Sequence, residues 1–493
     1  MLGRRTGMMD YIAELEKNRG EMTAALRKIV KIKSVQEEPY EDRDGIIYPF
    51  GKGIEECYKT VLEMADEMGF DTEDFDHYGG HVELKAEGGS ETFCIAAHVD
   101  VVPEGSGWTE HDPYGADVED GYVYGRGTTD DKGPLIACLY AMKAIRDAGI
   151  KPYKNIRLIV GLDEEKDKVG MSHYLRKAGM PDCGITPDGD FPLINGEMGI
   201  LIFDLAQKIR KSNAGNNVGI RLRKIIAGEA PNMVPSEAFA TLLSENAGDY
   251  EKIIDEAGAY SDSTGNNIRC RKSGKALKIK ASGKAAHGSR PWNGLNAVSV
   301  LMDFLGHIEF DGSDVNEFID FYNAHIGFDL HGERIGCGIE DEPSGKLILN
   351  VGMAELNEEV ASVTINIRYP VSASSEEIYG GIEKHTEDTE IGIIKRSHEP
   401  PVYIDPEDQF VQDLLSVYRE ETGDNESEPL VIGGGTYAKM MNRVLAFGSL
   451  FPGEEDRMHE AHERLNLDSF MKYARIYARA IYKIACERRD VDG

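Results

Sequence analysis

Four short segments of the 493-residue chain gather side chains that bind cations or move protons. The first is His98-Val99-Asp100, in the apolar run TFCIAAHVDVV (92–102). Residues two apart on a strand face the same way, so the Asp100 carboxylate can reach the His98 ring. A carboxylate on the far ring nitrogen fixes the tautomer and makes the imidazole a more basic ligand. Alone, His-x-Asp is more often a surface histidine beside an aspartate. The second segment is YGRGTTDDKG (124–133), a glycine-spaced loop opening a helix. Lys132-Gly133 runs in the wrong order for a phosphate-cradling loop, and Asp130 and Asp131 would repel phosphate. An N-capping aspartate is the plain alternative there, and it is compatible with a metal role. The third, Asp163-Glu164-Glu165, closes another apolar run, where both glutamates can turn into the crevice that binds ligands in α/β proteins. Carboxylates forced together need cations or a proton to offset their repulsion. The fourth, PDGDFP (187–192) followed by Asn195-Gly196-Glu197, is singly a turn. Four such segments in one chain are hard to ascribe to coincidence.

These segments must be held by regular elements. Residues 1–33 carry a helical stripe (Ile12, Leu15, Leu26, Ile29) despite Gly20. Ile54, Cys57, Val61, Ala65 and Met68 recur at helical steps until Gly69 stops them. The run 92–102 reads as a strand buried on both faces. An apolar helix from Gly133 to about Ala148 and a second buried strand, NIRLIVGLD (155–163), complete a βαβ unit, hence a parallel sheet in an α/β domain. In the middle of the chain the period changes to two. ALKIKAS (276–282) alternates, and SVTINIRYP (362–370) sets Val363, Ile365 and Ile367 opposite Thr364, Asn366 and Arg368, which suits an antiparallel sheet with helices on one side. After about residue 390 buried-strand and helix patterns return, ending in a long helix from about Leu467 to Cys486. The expected architecture is a mostly parallel α/β domain (1–204 and 389–493) interrupted by an α+β insertion with an antiparallel sheet (205–388).

Length and composition agree with this. A prior of about 150 residues per domain gives two or three domains. Lys and Arg total 55 and Asp and Glu total 87, a net charge of 55 − 87 = −32. Such a surface repels phosphate backbones and anionic lipids, so neither nucleic acid nor membrane is an expected partner. No apolar run approaches the roughly 18–20 residues of a membrane span. The N-terminal stretch has no apolar core of a secretory signal. Seven scattered cysteines without CxxC spacing suit a reducing, cytoplasmic location and no disulfide frame.

HVDVVPEGSGW (98–108), YGRGTTDDKG, DEE (163–165) and PDGDFPLINGE (187–197), in this order, resemble the di-metal aminoacylase/carboxypeptidase peptidase family. Within it the chain is most similar to the PepV- and carnosinase-like dipeptidase branch. The likeness continues through APNMVP (230–235), GKAAHGSRPWNGLNA (283–297), NVG (350–352) and NIRYP (366–370). It ends with GGGTYA (433–438) and FPGEEDRMHEAHE (451–463). The resemblance implies two divalent metal ions, Zn²⁺ or Mn²⁺, bridged by Asp130. His98 and Asp188 complete one ion's ligands, and Glu165 and His459 the other's. Glu164 is the implied general base, Asp100 the residue orienting His98, and a cis peptide bond is implied after Asp130. The insertion is the implied lid: His287 polarises the scissile carbonyl, Asn232 and Arg368 hold the substrate C-terminal carboxylate, and Gly434, Gly435 and Thr436 lie close to substrate.

Two departures stand out. The family's Ser-Gly after the paired glutamates is replaced by Lys166-Asp167-Lys168, and His462 stands where an asparagine is usual. His459 keeps the usual spacing to Glu463 and is the expected ligand, with His462 the alternative. The expected activity is metal-dependent hydrolysis of dipeptides with free termini. N-acyl-amino-acid deacylation is the alternative within the family, and a non-enzymatic metal-binding protein the alternative outside it. The insertion exceeds a typical ~100–150-residue domain, so His287 is expected to serve its own chain in a monomer.

Overall fold

The run 92–102 forms the strand Thr92–His98, every residue of it buried. A computed structural model describes residues 10–210 and 219–488 of the chain. In it, Thr92–His98 lies between two parallel strands, Asn155–Gly161 and Cys183–Thr186. The apolar helix Lys132–Asp147 makes the crossover of the expected βαβ unit. Val444–Ala446 adds a further parallel strand beside Cys183–Thr186. The other edge is antiparallel, through Gly80–Leu84 and then Asp71–Asp74. This is the α/β unit, with a parallel core and antiparallel edges.

The second sheet is antiparallel throughout and has eight strands. Its order is Asn267–Ser273, Ala276–Ser282, Glu237–Leu243, Arg221–Ala227, Ile348–Leu356, Val360–Tyr369, Gly199–Lys208 and Gly392–Glu399. Helices Ala247–Thr264, Ala297–Leu305, Ser313–His325 and Ser375–Thr386 belong to the same unit, and Val300, Leu301 and Phe304 share its core with Leu277 and Ile279. The chain thus divides into two compact units. One is Met1–Asn195 with Tyr403–Leu430 and Gly435–Gly493; the other is Gly196–Val402 with Val431–Gly434. The expected bounds at 204/205 and 388/389 cut into strands Gly199–Lys208 and the approach to Gly392–Glu399. Those two strands pair with each other inside the antiparallel sheet, which moves the bounds outward.

Several local expectations are refined. The N-terminal helix is two helices, Asp10–Lys17 and Arg19–Val30, and residues 1–9 of the expected span lie outside the described residues. The break falls at Asn18, whose side chain donates to the Glu14 carbonyl at 2.7 Å, and not at Gly20. The polar face of the strand Val360–Tyr369 is buried too: Thr364, Asn366 and Arg368 are 4 %, 1 % and 6 % exposed. An inner strand of a wide sheet has little access to water, and Thr364 and the Asn366 side-chain oxygen are paired instead. Thr364 donates to Asp204 at 2.7 Å, which Arg396 also holds at 2.8 Å. All seven cysteines are unpaired.

One buried group gives the α/β unit an acid limit. His81 lies 4 % exposed, with its Nδ1 2.9 Å from the Tyr174 hydroxyl. Burial pushes the ring down to about 3, and Arg157 and Lys85 add repulsion. The unfolded chain binds a proton at this histidine below about pH 6.5, whereas the native chain does not until far lower pH. Stability is therefore fully present above that pH and is lost as pH falls toward 3, by up to about 1.4 kcal/mol per pH unit. His81→Phe should flatten the decline measured by urea unfolding between about pH 6 and about pH 4. An unchanged slope would mean that His81 is not the neutral buried group described here.

Candidate metal centre

His98 is the last residue of its strand, the Asp163–Glu165 segment follows Asn155–Gly161, and Asp188 follows Cys183–Thr186. Parallel neighbours bring their C-terminal ends to one edge, which is where open α/β sheets carry their sites. Asp130 comes from the loop that opens helix Lys132–Asp147, and His459 from the loop ahead of helix Leu467–Ile481. His459 has a left-handed backbone, φ 64°, uncommon for a residue with a Cβ.

The side chains form two groups, each with ligand atoms within 4.8 Å of one another: His98, Glu164 and Asp188, and Asp130, Glu165 and His459. Asp130 faces both. Its Oδ1 is 3.0 Å from His98 Nε2, and its Oδ2 is 2.9 Å from His459 Nε2. His459 Nε2 is also 3.0 Å from Glu165 Oε1. Glu164 Oε1 faces Lys168 Nζ at 3.0 Å, whereas His98 Nε2 and Asp130 Oδ1 are buried and, although close, make no hydrogen bond. Buried polar atoms left so are costly, and their lone pairs converging on a common space fit shared cations. The donor set of imidazole and carboxylate suits divalent ions of the zinc and manganese type.

The electrostatics agree. Burial, then the Asp130 charge, raises Glu165; burial, then Asp130 and Glu164, raises Asp188 well above the usual carboxylate range. Burial works against protonation of His98 and His459, but contacts with Asp100, Asp130 and Glu165 outweigh it and raise both rings. Burial opposes the charge on Asp130 as well, yet the two imidazoles hold it far below its ordinary value. A cluster in which Glu165 and Asp188 hold on to protons while both histidines are driven to charge carries more carboxylate than its own cations offset.

Neighbouring groups fix the backbone. His98 Nδ1 is 2.9 Å from the Asp100 backbone carbonyl and 3.3 Å from its carboxylate. The Asp100 carboxylate itself accepts the amides of Glu164 and Glu165, each at 3.1 Å. Asp131 occupies the N-cap position without a capping bond, and its carboxylate accepts the His98 amide at 3.1 Å instead. The bond between Asp130 and Asp131 is cis. Glu463, read in the sequence only as a spacing mark, is buried and accepts from Arg126 at 2.6 Å, Gly127 at 3.1 Å and Thr129 at 2.9 Å. It thereby holds the loop that presents Asp130. The retained His-x-x-x-Glu spacing was its one signal. His462 stands apart from the cluster, with Nε2 3.3 Å from the Thr109 amide and its ring 5.6 Å from that of Trp108.

The remaining expected residues lie mostly in the second unit, where they gather. The short strands Met233–Val234 and Ala286–His287 pair, and the Gly288 amide donates to the Asn232 carbonyl at 2.7 Å. Asn350 of the NVG motif donates to the carbonyls of Pro231 and Met233 at 3.0 and 2.9 Å, bracing the Asn232 turn. A Cβ on Gly352 would come within 2.2 Å of the Pro231 carbonyl oxygen, so that brace requires glycine. His287 Nδ1 is 2.6 Å from the Ser289 hydroxyl. Arg368 Nε donates to Asn366 at 3.1 Å, and burial lowers the guanidinium to about 10. A Cβ on Gly433 would meet only ordinary contacts, including Ser289 and Arg368 at 3.5 and 3.8 Å. Packing thus does not explain glycine at that position. Gly434 belongs to this unit, whereas Gly435 and Thr436 belong to the α/β unit.

Among the described residues no helix is long and apolar enough to cross a membrane. Similar proteins agree with the geometry. A Bacillus subtilis protein named "Putative dipeptidase YtjP" is 33 % identical over 478 residues, covering 97 % of this chain and 100 % of its own. A Staphylococcus saprophyticus protein named as a putative dipeptidase is 34 % identical over 469 residues, 94 % of this chain and 96 % of its own. The fold is shared with the di-peptidase Dug1p of Saccharomyces cerevisiae, at TM-score 0.54 and 13 % identity over 96 % of this chain and 98 % of that one. It is shared also with the M20 family metallo-carboxypeptidase Sso-CP2 of Sulfolobus solfataricus, at TM-score 0.54 and 17 % identity over 94 % and 99 %. Peptidase family M20/M25/M40 matches residues 94–483, which span every member of the two side-chain groups, and the chain belongs to that family.

Proposed function

We propose that the protein is a metal-dependent dipeptidase, working as a monomer in the cytoplasm on short peptides with free termini. The observation that carries this is Asp130, one oxygen facing His98 and the other facing His459. In this reading Asp130 would serve both ions, with His98 and Asp188 among the ligands of one and Glu165 and His459 among those of the other. Zn²⁺ or Mn²⁺, held there, would supply Lewis acidity and make the attacking water easier to deprotonate.

The chain's own groups do the rest. Glu164 takes the proton of the attacking water and passes it to the leaving nitrogen. Asp100 keeps the His98 ring oriented and holds the backbone from which Glu164 projects. His287 donates a hydrogen bond to the scissile carbonyl oxygen as negative charge develops on it. Arg368 and Asn232 receive the substrate C-terminal carboxylate, and Gly434, Gly435 and Thr436 present backbone close to it. Burial of Arg368 supports the assignment, because the desolvation of its guanidinium outweighs the pull of Glu399 and a further anion would offset the cost. The unpaired cysteines support the reducing compartment.

Three measurements test the reading. Glu164→Gln should keep both ions while kcat falls by at least ~10²-fold, and His459→Ala should lose one ion where His462→Ala loses neither. Retained turnover in the first variant, or the opposite metal contents in the other two, would overturn those roles. For one dipeptide, its C-terminal amide and its N-acetyl form, kcat/KM should be highest for the free dipeptide. Arg368→Ala should remove the preference for acid over amide, at a cost of ~2–5 kcal/mol in transition-state binding. Equal wild-type rates on acid and amide would dismiss the carboxylate clamp, and faster N-acetyl hydrolysis would make the protein a deacylase. Mixing Glu164→Gln chains with His287→Ala chains should restore no activity; recovery would show that subunits share the histidine.

A further inference from the structure

We propose that Lys168 is a positioning residue that holds the Glu164 carboxylate off the metal ions and against the glycine-rich loop, an assignment resting on Glu164 as the proton shuttle. Lys168 Nζ lies 3.0 Å from Glu164 Oε1 and donates to the Gly435 carbonyl at 3.2 Å. The two side chains are only 15 % and 9 % exposed, so the pair is screened far less than a surface one. It is not a helical pair. The segment turns back on itself: the Lys168 amide donates to the Asp163 carbonyl at 3.1 Å, and the Asp163 carboxylate accepts the Gly170 amide at 3.0 Å. Lys168 has a left-handed backbone at the turn, φ 53°, before helix Val169–Ala178 begins. A lysine adopts that conformation reluctantly, and here it directs the ammonium back over Glu164.

The need for such a tether follows from the cluster. A Glu164 oxygen lies within 4.8 Å of ligand atoms of His98 and Asp188, so this carboxylate could itself become a ligand. A carboxylate bound to a cation has given up the lone pair that accepts a proton and is a poor base. Lys168 engages Oε1, and the Gly435 carbonyl holds the ammonium in place. This cation stands in the Lys166-Asp167-Lys168 stretch, which follows the paired glutamates where the family resemblance leads one to expect Ser-Gly.

The test uses the metal-loaded protein and the variants Lys168→Met, Lys168→Arg, Glu164→Gln and the double Glu164→Gln/Lys168→Met. Lys168→Met should lower kcat for a dipeptide by ~10-fold or more with KM changed by less than about threefold. Chelator competition should show it holding zinc at least as tightly as wild type, because Glu164 is released to coordinate. Lys168→Arg should recover most of the loss in kcat. On the Glu164→Gln background, Lys168→Met should change kcat by less than about twofold, since the group it acts through is already gone. Wild-type kcat in Lys168→Met, beside an inactive Glu164→Gln, would overturn the tether and leave the base intact. Weakened zinc binding without rescue by arginine, or fully multiplicative effects in the double variant, would also overturn it. Full activity in Glu164→Gln would instead remove the base, and the tether with it.

Discussion

Carboxylates that must stand within a few ångströms of each other repel one another, and the hydrogen bonds around this centre answer that repulsion. Asp130, Glu164, Glu165 and Asp188 crowd around two imidazoles, with ligand atoms in each group under 4.8 Å apart. Cations can neutralise them once bound, but the chain has to hold the arrangement before that. It does so with carboxylates outside the cluster whose oxygens take backbone amides: Asp100 those of Glu164 and Glu165, Asp131 that of His98, Glu463 those of Gly127 and Thr129. Charge-assisted bonds to amides are among the stronger ones available to a protein, and these fix main chain rather than side chain. The main chain that carries the ligands then needs no reordering when a cation arrives.

The same logic separates what each unit is for. The α/β unit puts its chemistry at the ends of parallel strands, where the backbone is stiff and the loops are free to differ. The second unit puts Asn232, His287 and Arg368 on and beside its antiparallel sheet, braced by Asn350 and by the close approach of Gly352 to Pro231. Each set is assembled from within its own unit. On the proposed reading, a defect in the brace would spoil recognition of substrate and leave the side chains of the candidate metal centre in place.

Much of this was legible in the sequence because periodicity and spacing report on it directly. The run 92–102, the helix from about 133 and the strand from 155 emerged as read, because continuous apolar runs admit few other arrangements. Other features depend on partners far along the chain, which no local pattern reveals. Alternation placed Thr364, Asn366 and Arg368 on one face, but only the neighbouring strands show that this face is buried. Asp131 resembled a helix cap because its position is one; its carboxylate is committed to His98 instead. Lys168 registered only as an unusual charge, since its contact with Gly435 spans most of the chain.

The placement of the second unit within the chain has a kinetic side. Strand Val444–Ala446 must find Cys183–Thr186 although the whole insertion lies between them in sequence. Joining the ends of an open coil of about 200 residues costs roughly 5 kcal/mol in chain entropy, before any contact repays it. The insertion's own first and last strands, Gly199–Lys208 and Gly392–Glu399, pair directly, with Ile200 opposite Glu399. Once that pairing exists, the distant halves of the α/β unit are joined by a short staple rather than a long loop. Substitutions along those two strands would then slow assembly of the α/β unit, although neither strand belongs to it.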